Sequence, residues 1–408
     1  MKIFIITENY PFAPSEKSFL LTELKELSKN NEVTVMSQRV GDIDPEFPKN
    51  IKAVWLGKKA TALSAVFYFL GGILSPSLYK ELPVALKCGG IGAAVACIKH
   101  FSLARQYRSQ VKKQFKKLGT PDIVYSYWGN MPLTGMVLLR KKHDKWKLIS
   151  RCHGYDLFRE RTSYGYQPFK RQVDSKIDGM YLVCEAGYDY YLRHWSASAP
   201  PVCHLSRLGS SNQYGIQPYT PSDTLRLISC SNLIPLKRVG MIIEALSLIE
   251  GIKIDWVHYG TGELEDSLKK LAEEKLSNKE NISYNFAGYI DNTKLKEIYS
   301  RTTFDCFITA SESEGGCPVS ISEAISFGVP VIATGAGGIP EIVASDNGTL
   351  LPVQSTAHDI SDAIKAFASL SEEERLSLRQ ASRKKWEADF CAEENAKAFT
   401  AAIANTKK

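Results

Sequence analysis

No two of the nine cysteines, at 88, 97, 152, 184, 203, 230, 306, 317 and 391, are spaced as C-x2-C, which excludes a zinc ribbon and a dithiol redox motif. Their odd number and irregular spacing suit reduced thiols, so a cytoplasmic setting is expected. There is a single D-x-D, Asp42-Ile43-Asp44, in a polar loop before Pro45 with no strand leading into it. Oxygen ligands for a metal need a rigid scaffold, so a surface loop is expected there and no metal. Near the start only Ile3–Ile6 is apolar before Thr7, Glu8 and Asn9, which reads as a buried strand and not as a signal peptide. Long apolar runs are almost absent. The one candidate, Ala60–Tyr79, is interrupted by Gly71, Gly72 and Pro76, whereas a lone spanning helix needs about 20 predominantly apolar residues. A buried or membrane-facing helix pair is expected from it, not a span. Gly260-Thr261-Gly262 lacks the third glycine of G-x-G-x-x-G, since Glu265 stands in its place. This removes a nicotinamide fingerprint and leaves a phosphate- or base-lining turn.

What is present is an ordinary globular chain. It has 408 residues, 44% hydrophobic and 23% charged, which excludes disorder and collagen-like repeats and leaves room for two or three domains of roughly 150 residues. The 51 Lys and Arg against 44 Asp and Glu give +7. That excess suits an anionic ligand or an anionic lipid surface, but it is too diffuse for a nucleic-acid arm, so no nucleic-acid partner is expected.

Short apolar runs alternate with helical patterns from end to end. Strands are expected at Lys2–Thr7, Val33–Ser37, Asp122–Tyr127, Lys147–Arg151, Met180–Cys184 and Val202–Arg207, then at Leu225–Cys230, Ile254–Tyr259, Ile282–Phe286, Asp305–Thr309 and Val329–Ala333. This is an α/β pattern of parallel sheets covered on both faces. The polar, Gly-, Pro- and Ser-rich stretch Gly209–Asp223 separates two such series. Two doubly wound domains follow, with ligands expected beyond the carboxyl ends of the strands.

Three strand ends carry candidate chemistry. Thr309–Val331 (TASESEGGCPVSISEAISFGVPV) runs from a strand into a Gly-rich acidic loop and a helix that starts near Pro318. Gly315 and Gly316 let backbone approach a ligand, and the helix N-terminus offers N–H groups and a positive dipole end to a phosphate. Glu323 is placed to accept hydrogen bonds from vicinal hydroxyls, and Glu314 could do so for a sugar. A plain turn with solvated glutamates is the alternative. In Ser229–Val239 (SCSNLIPLKRV), Lys237 and Arg238 precede a helix. They either neutralise a diphosphate or simply face solvent, as Lys and Arg usually do. In Arg151–Asp156 (RCHGYD), His153 could meet a substrate hydroxyl, although a lone His is more often structural; Arg207 of SRLGS ends a strand at the same edge.

Taken together, SCSNLIPLKR, HYGTGEL, FAGYID, SEGGCPVSISEA and GVPVIATGAGGIPEIV, with ENYPFAPSEKSFLLTEL and RCHGYDLFRER in the first half, resemble retaining glycosyltransferases of the GT-B fold and family-4 type, in a subgroup that builds bacterial surface polysaccharides. The resemblance implies two Rossmann-like domains facing across a cleft: 1–212 for the acceptor, 213–385 for a nucleotide-sugar donor, and a C-terminal helix in 386–408 packing back on the first. It assigns Glu314 to donor-sugar hydroxyls, Glu323 to the ribose, Lys237 to the diphosphate, and His153 to the sugar near the reacting carbon. It assigns the backbone of Gly315, Gly316 and Cys317, with the helix start at Pro318, to sugar or phosphate. Gly260, Gly262 and Gly288 would line the donor, while Glu16 and its loop, Asp156 and Arg207 would lie on the acceptor side.

There are two departures from the family. Asn232 stands where an arginine is usual, with Arg238 as the expected compensation. Eight residues instead of seven separate Glu314 from Glu323, with Glu312 as a fallback for the first glutamate. The implied activity moves a hexose from a nucleotide sugar, expected to be a UDP-sugar, to a glycan or lipid-linked glycan, with retention and without metal or cofactor. Arg105–Leu118 (RQYRSQVKKQFKKL) is read either as a basic helix touching an anionic membrane or as a helix whose Tyr107, Val111 and Leu118 form a core stripe. An epimerase or phosphorylase of the same architecture, and a non-catalytic partner subunit, are the rival readings.

Overall fold

Strands that are apolar on both faces must be covered on both faces, and the carboxyl edge of the sheet is then the place where loops can diverge. The computed structural model describes residues 1–58, 61–196 and 202–405, with the side chains of 62–65 outside the description. It contains two all-parallel sheets. The first comprises β1 (Lys2–Ile6), β2 (Glu32–Ser37), β3 (Lys52–Trp55), β4 (Ile123–Ser126), β5 (Lys147–Cys152), β6 (Gly179–Leu182) and β7 (Cys203–Leu205), in the order β3-β2-β1-β4-β5-β6-β7. The second comprises β8 (Thr224–Cys230), β9 (Lys253–Tyr259), β10 (Ile282–Gly288), β11 (Cys306–Thr309), β12 (Val331–Thr334) and β13 (Gly348–Leu351), in the order β10-β9-β8-β11-β12-β13. The doubly wound α/β class is therefore the observed one. In each sheet the strand order reverses at the first strand, between β1 and β4 and between β8 and β11, and ligand-binding crevices open at such reversals.

The chain divides into two units, Met1–Leu208 with Glu393–Lys408, and Gly209–Ala392. The boundary expected after 212 falls earlier because residues 209–212 bond into the second unit. Ser210 N–H donates to Phe390 O at 2.9 Å, and Asn212 Nδ2 donates to Ser326 O at 2.8 Å. The boundary expected after 385 falls later because Trp386 and Phe390 are buried in a cluster with Phe307, Ile321 and Ile325. Helix Ala392–Asn405 then belongs to the first unit, where Phe399 and Ile403 join a core of Ile3, Ile5, Val33 and Tyr125. Residues 406–408 of the expected tail lie outside the described residues.

Two edge strands, β3 and β13, were not expected; each is only four residues long and just partly buried, so neither leaves a strong apolar pattern. Of the apolar stretch 60–79, Ala60 lies outside the described residues. The remainder forms helix Ala62–Leu70, a turn, and the start of helix Pro76–Leu118. That long helix is interrupted where Gly89 (φ −152°) and Gly90 (φ 62°) leave helical geometry. Within the basic stretch 105–118, Tyr107 and Val111 are buried in the first unit's core, so this segment takes the core-stripe alternative while Lys112, Lys113, Lys116 and Lys117 face solvent.

One buried ion pair ties these layers together. Arg151 on β5 donates to Glu23 at 2.6 Å and to Tyr125 Oη at 3.0 Å, and its guanidinium lies 4.6 Å from the Phe399 ring centroid. Burial works against the Arg151 charge, but Glu23, Tyr125 and Tyr127 outweigh it, so its pKa is raised. Phe399→Ala would remove a buried ring packed on Tyr125 and Tyr181. A loss of about 3 kcal/mol or more is expected, read as a lower urea midpoint of the first unit's transition.

Candidate active site

In the second unit the loops after β8, β9 and β11 lie backbone against backbone. Ser231 N–H donates to Tyr259 O and Leu233 N–H to Thr261 O, each at 3.0 Å. A Cβ on Gly260 (φ 142°) would sit 1.9 Å from Ser231 O, and one on Gly262 would sit 2.4 Å from Leu233 O. These two glycines are therefore required by loop-to-loop packing, a reason the ligand-lining reading had not supplied. At Gly288 (φ 74°) a Cβ would meet nothing within 4 Å, and Gly288 O accepts from Gly260 N–H.

Loop 310–317 closes on the same edge. Glu312 N–H donates to Leu236 O at 2.8 Å, and Lys237 Nζ is hydrogen-bonded to Glu314 Oε1 in a partly buried ion pair. Glu314, and not the exposed Glu312, thus stands beside Lys237. Gly315, Gly316 and Cys317 lead to Pro318, the N-cap of helix Val319–Ser326. The first intrahelical acceptor, Pro318 O, receives Ser322 N–H at 3.1 Å, so the N–H groups of 319–321 precede the ladder and mark the positive end of the dipole. Behind this loop, Cβ atoms on Gly337 (φ 57°) and Gly338 would collide with the backbone of Glu314 and Gly316, at 2.2 and 2.7 Å. Cys317 Sγ donates to Gly338 O at 3.2 Å.

Glu323 lies farther along the helix and is buried. Its Oε1 accepts from Asn292 Nδ2 and stands 4.0 Å from Lys296 Nζ. Burial raises its pKa, with Lys296 and Asn292 opposing. Asn292 and Lys296 were missed in the sequence because their helix carries no motif of its own. One assignment changes character. Arg238, at φ 46°, donates Nε to Ala310 O and Nη2 to Val353 O, each at 2.7 Å. Its fork is committed to backbone carbonyls and does not replace the arginine absent at the exposed Asn232.

In the first unit the loops after β1, β4 and β5 are organised by two buried carboxylates. Glu16 is 1% exposed. It accepts the N–H groups of Glu8, Asn9 and Tyr10 at 3.0, 2.8 and 2.7 Å, together with Trp128 Nε1. Its side chain therefore shapes the 8–16 loop from within. Asp156 accepts Gly129 N–H and His153 N–H, each at 2.6 Å. Lys170 Nζ donates to the carbonyls of Gly129 and Asp156, so Asp156 and Lys170 also organise loops. Arg207 is ion-paired with Glu185 at 2.5 Å.

The His153 ring packs in tilted contact with Trp128 at 4.4 Å and Tyr127 at 5.0 Å between centroids. Its two nitrogens are buried and find no hydrogen-bond partner among the described residues. Burial, with a smaller push from the Arg151 charge, lowers its pKa to about 3. The imidazole is neutral at physiological pH, with one nitrogen to donate and one to accept. Asp42-Ile43-Asp44 remains a loop in which Asp44 pairs with Lys17 at 3.1 Å. Among the described residues no group of three His, Cys, Asp or Glu side chains is placed to hold a metal ion.

This architecture is the GT-B fold. The structure superposes over its whole length on the lipopolysaccharide outer core galactosyltransferase WaaB, with a TM-score of 0.71, 14% identity and 100% of both chains covered. On Anabaena HepE in complex with UDP and glucose the TM-score is 0.67, with 14% identity over 99% of this chain and 100% of that one. Residues 217–385 match the family described as glycosyl transferases group 1. The chain is 23% identical over 276 residues, 66% of this chain and 67% of the relative, to the Escherichia coli (strain K12) protein named as a colanic acid biosynthesis glycosyltransferase, WcaL. It is 26% identical over 172 residues, 41% of either chain, to the amylovoran biosynthesis glycosyltransferase AmsK of Erwinia amylovora.

Burial raises the Asp156 pKa to about 6, with Lys170 and the Gly129 and His153 N–H groups opposing. Below that pH Asp156 takes up a proton and holds the 129 and 153 loops less firmly. Activity is expected to fall as pH drops through about 6, and Asp156→Asn should flatten this acid limb while lowering the plateau, measured as kcat/KM against pH.

Proposed function

We propose that the protein is a retaining hexosyltransferase that moves a sugar from a UDP-sugar to a lipid-linked glycan during assembly of a bacterial surface polysaccharide. The observation that carries this reading is the edge of the second sheet. There Lys237, the Gly315–Gly316 backbone and the N-terminus of helix Val319–Ser326 gather positive charge, with buried Glu323 farther along the same helix. Such an edge suits a diphosphate and, beside it, a ribose whose hydroxyls bond to Glu323. The relatives named for colanic acid and amylovoran synthesis support the polysaccharide setting, and HepE, solved with UDP-glucose, supports the uridine donor.

In this mechanism the acceptor oxygen attacks the anomeric carbon from the face the diphosphate leaves. The sugar–phosphate bond breaks, and the acceptor's proton passes to a departing phosphate oxygen. Lys237 and the helix N-terminus stabilise the charge that develops there, the role a metal plays in other transferases. On donor binding Lys237 exchanges Glu314 for phosphate, which frees Glu314 to accept a sugar hydroxyl. His153, neutral and with both nitrogens unpartnered, bonds to the sugar near the reacting carbon. The acceptor is reached from the cytoplasmic side.

Lys237→Ala and Glu323→Ala are each expected to lower turnover about a hundredfold or more, with circular dichroism unchanged. A thermal-shift panel of UDP-, GDP-, ADP- and TDP-sugars should show the largest stabilisation with UDP, since a ligand that binds the folded state alone raises its apparent stability. Wild-type rates in both variants would refute the assignments. Conversion of the donor with no acceptor present would favour an epimerase, and no nucleotide binding in calorimetry would favour a non-catalytic subunit.

A further inference from the structure

We propose that the helices between β3 and β4 seat the protein on an anionic lipid bilayer through the apolar side of residues 66–95. The inference goes beyond the donor chemistry and does not depend on it.

The helices bury one set of apolar residues in the core and leave a second set, most of them large, exposed. Leu78, Ala85, Ala93, Cys97 and Phe101 are buried in the first unit's core. Exposed on the same segment are Phe67 at 79%, Leu74 at 82% and Ile91 at 79%, accompanied by Leu70, Tyr79 and Leu86. Single exposed hydrophobic residues are ordinary, but a succession of large ones along one segment marks an interaction surface.

The segment is firmly anchored, so the exposure is built in. Arg105 Nε donates to Tyr68 O at 2.9 Å and Arg105 Nη2 to Gly71 O at 2.6 Å. A Cβ on Gly72 would sit 2.7 Å from the Phe101 ring, so the turn lies directly on the helix below it. Glu81 accepts from Tyr166 Oη at 2.8 Å, Phe169 N–H at 2.9 Å and Gln172 Nε2 at 2.7 Å, which pins 76–88 to the 166–172 loop.

Charge identifies the occupant. Glu81 is the sole acidic residue between Glu46 and Asp122, a stretch that holds thirteen lysines and arginines, and Glu81 is turned inward and buried. Its exposed charges are therefore all positive, and Lys80 and Lys87 flank the outward apolar residues on their own helix. Large apolar side chains ringed by cations alone match the boundary of acyl chains and anionic headgroups. The contact is peripheral. Helix Pro76–Leu118 is long and apolar enough in composition to cross a bilayer, yet Gly89–Gly90 break it, Glu81 is bonded into the core, and Cys97, Phe101, Tyr107 and Val111 are packed there.

The test is flotation of the full chain with vesicles of phosphatidylcholine alone or with phosphatidylglycerol added. Flotation is expected with phosphatidylglycerol and not without it, and high salt should weaken it. Leu74→Glu with Ile91→Glu should reduce partitioning about tenfold or more, and Lys80→Glu with Lys87→Glu should do the same. Thermal midpoint and UDP binding are expected to stay at wild-type values in both, and if one pair impairs folding the other decides. Failure of the wild-type chain to float with phosphatidylglycerol would overturn the proposal, as would flotation of both folded pairs at the wild-type level. A dimer in light scattering that the Leu74/Ile91 pair splits, with no flotation, would instead make this face a contact between copies of the chain.

Discussion

A carboxylate sealed from water and fed by backbone N–H donors is the device on which the first unit's functional edge depends. Loops at the carboxyl ends of parallel strands have no ladder to satisfy their amides, and an unpaired buried amide is costly. Glu16 absorbs three such amides and an indole N–H. Asp156 absorbs two, from loops that follow different strands. Each acid is thus a knot that ties neighbouring loops, and the His153 ring is held between Trp128 and Tyr127 as a consequence. The second unit reaches the same end by other means. There glycines let backbone meet backbone directly, at Gly260 and Gly262 against residues 231–233 and at Gly337 and Gly338 against 314–317.

This difference explains what was legible in the sequence. The alternation of apolar runs and helical patterns exposed both sheets, because buried parallel strands are apolar on both faces. It hid β3 and β13, whose four residues are half-covered edges. The Gly-rich loop before Pro318 was legible because a strand, glycines, a proline and a helix stand in immediate succession. Lys237 was legible by its place in a motif. Asn292, Lys296 and Lys170 were not, since each comes to the site through tertiary packing from a helix of unremarkable composition. Arg238 was misjudged because a sequence shows a guanidinium but not the two carbonyls that engage it. Glu16 and Asp156 were expected on the acceptor side by resemblance alone, and a sequence does not show that their oxygens turn inward to loop N–H groups.

The charge arrangement of the second unit follows from the same economy. If Lys237 meets a diphosphate as proposed, it needs an anion in the absence of that ligand, since an uncompensated, partly buried cation is unfavourable. Glu314 supplies that anion from the loop that borders the helix N-terminus. Glu323 is treated differently: it is buried beside Asn292 and Lys296, so burial keeps its carboxylate poorly solvated. A hydroxyl pair from a ribose would supply donors that water does not. One acid is thus exchangeable and the other fixed, a division that suits a site where charge must move on binding at one end and stay in place at the other.

The first unit shows a comparable division on a larger scale. Its sheet edge is built from satisfied carboxylates, whereas the helices inserted between β3 and β4 leave large apolar residues and cations unsatisfied. Both cannot be accidents of packing, because the same helices bury Leu78, Ala85 and Phe101 well and spend their one acid on the core. A segment that buries Leu78 and Phe101 completely could have buried its other large residues. On the membrane-seating proposal, Phe67, Leu74 and Ile91 turn outward among lysines, with the segment's one acid buried, because an anionic interface makes both the apolar and the cationic exposure favourable at once.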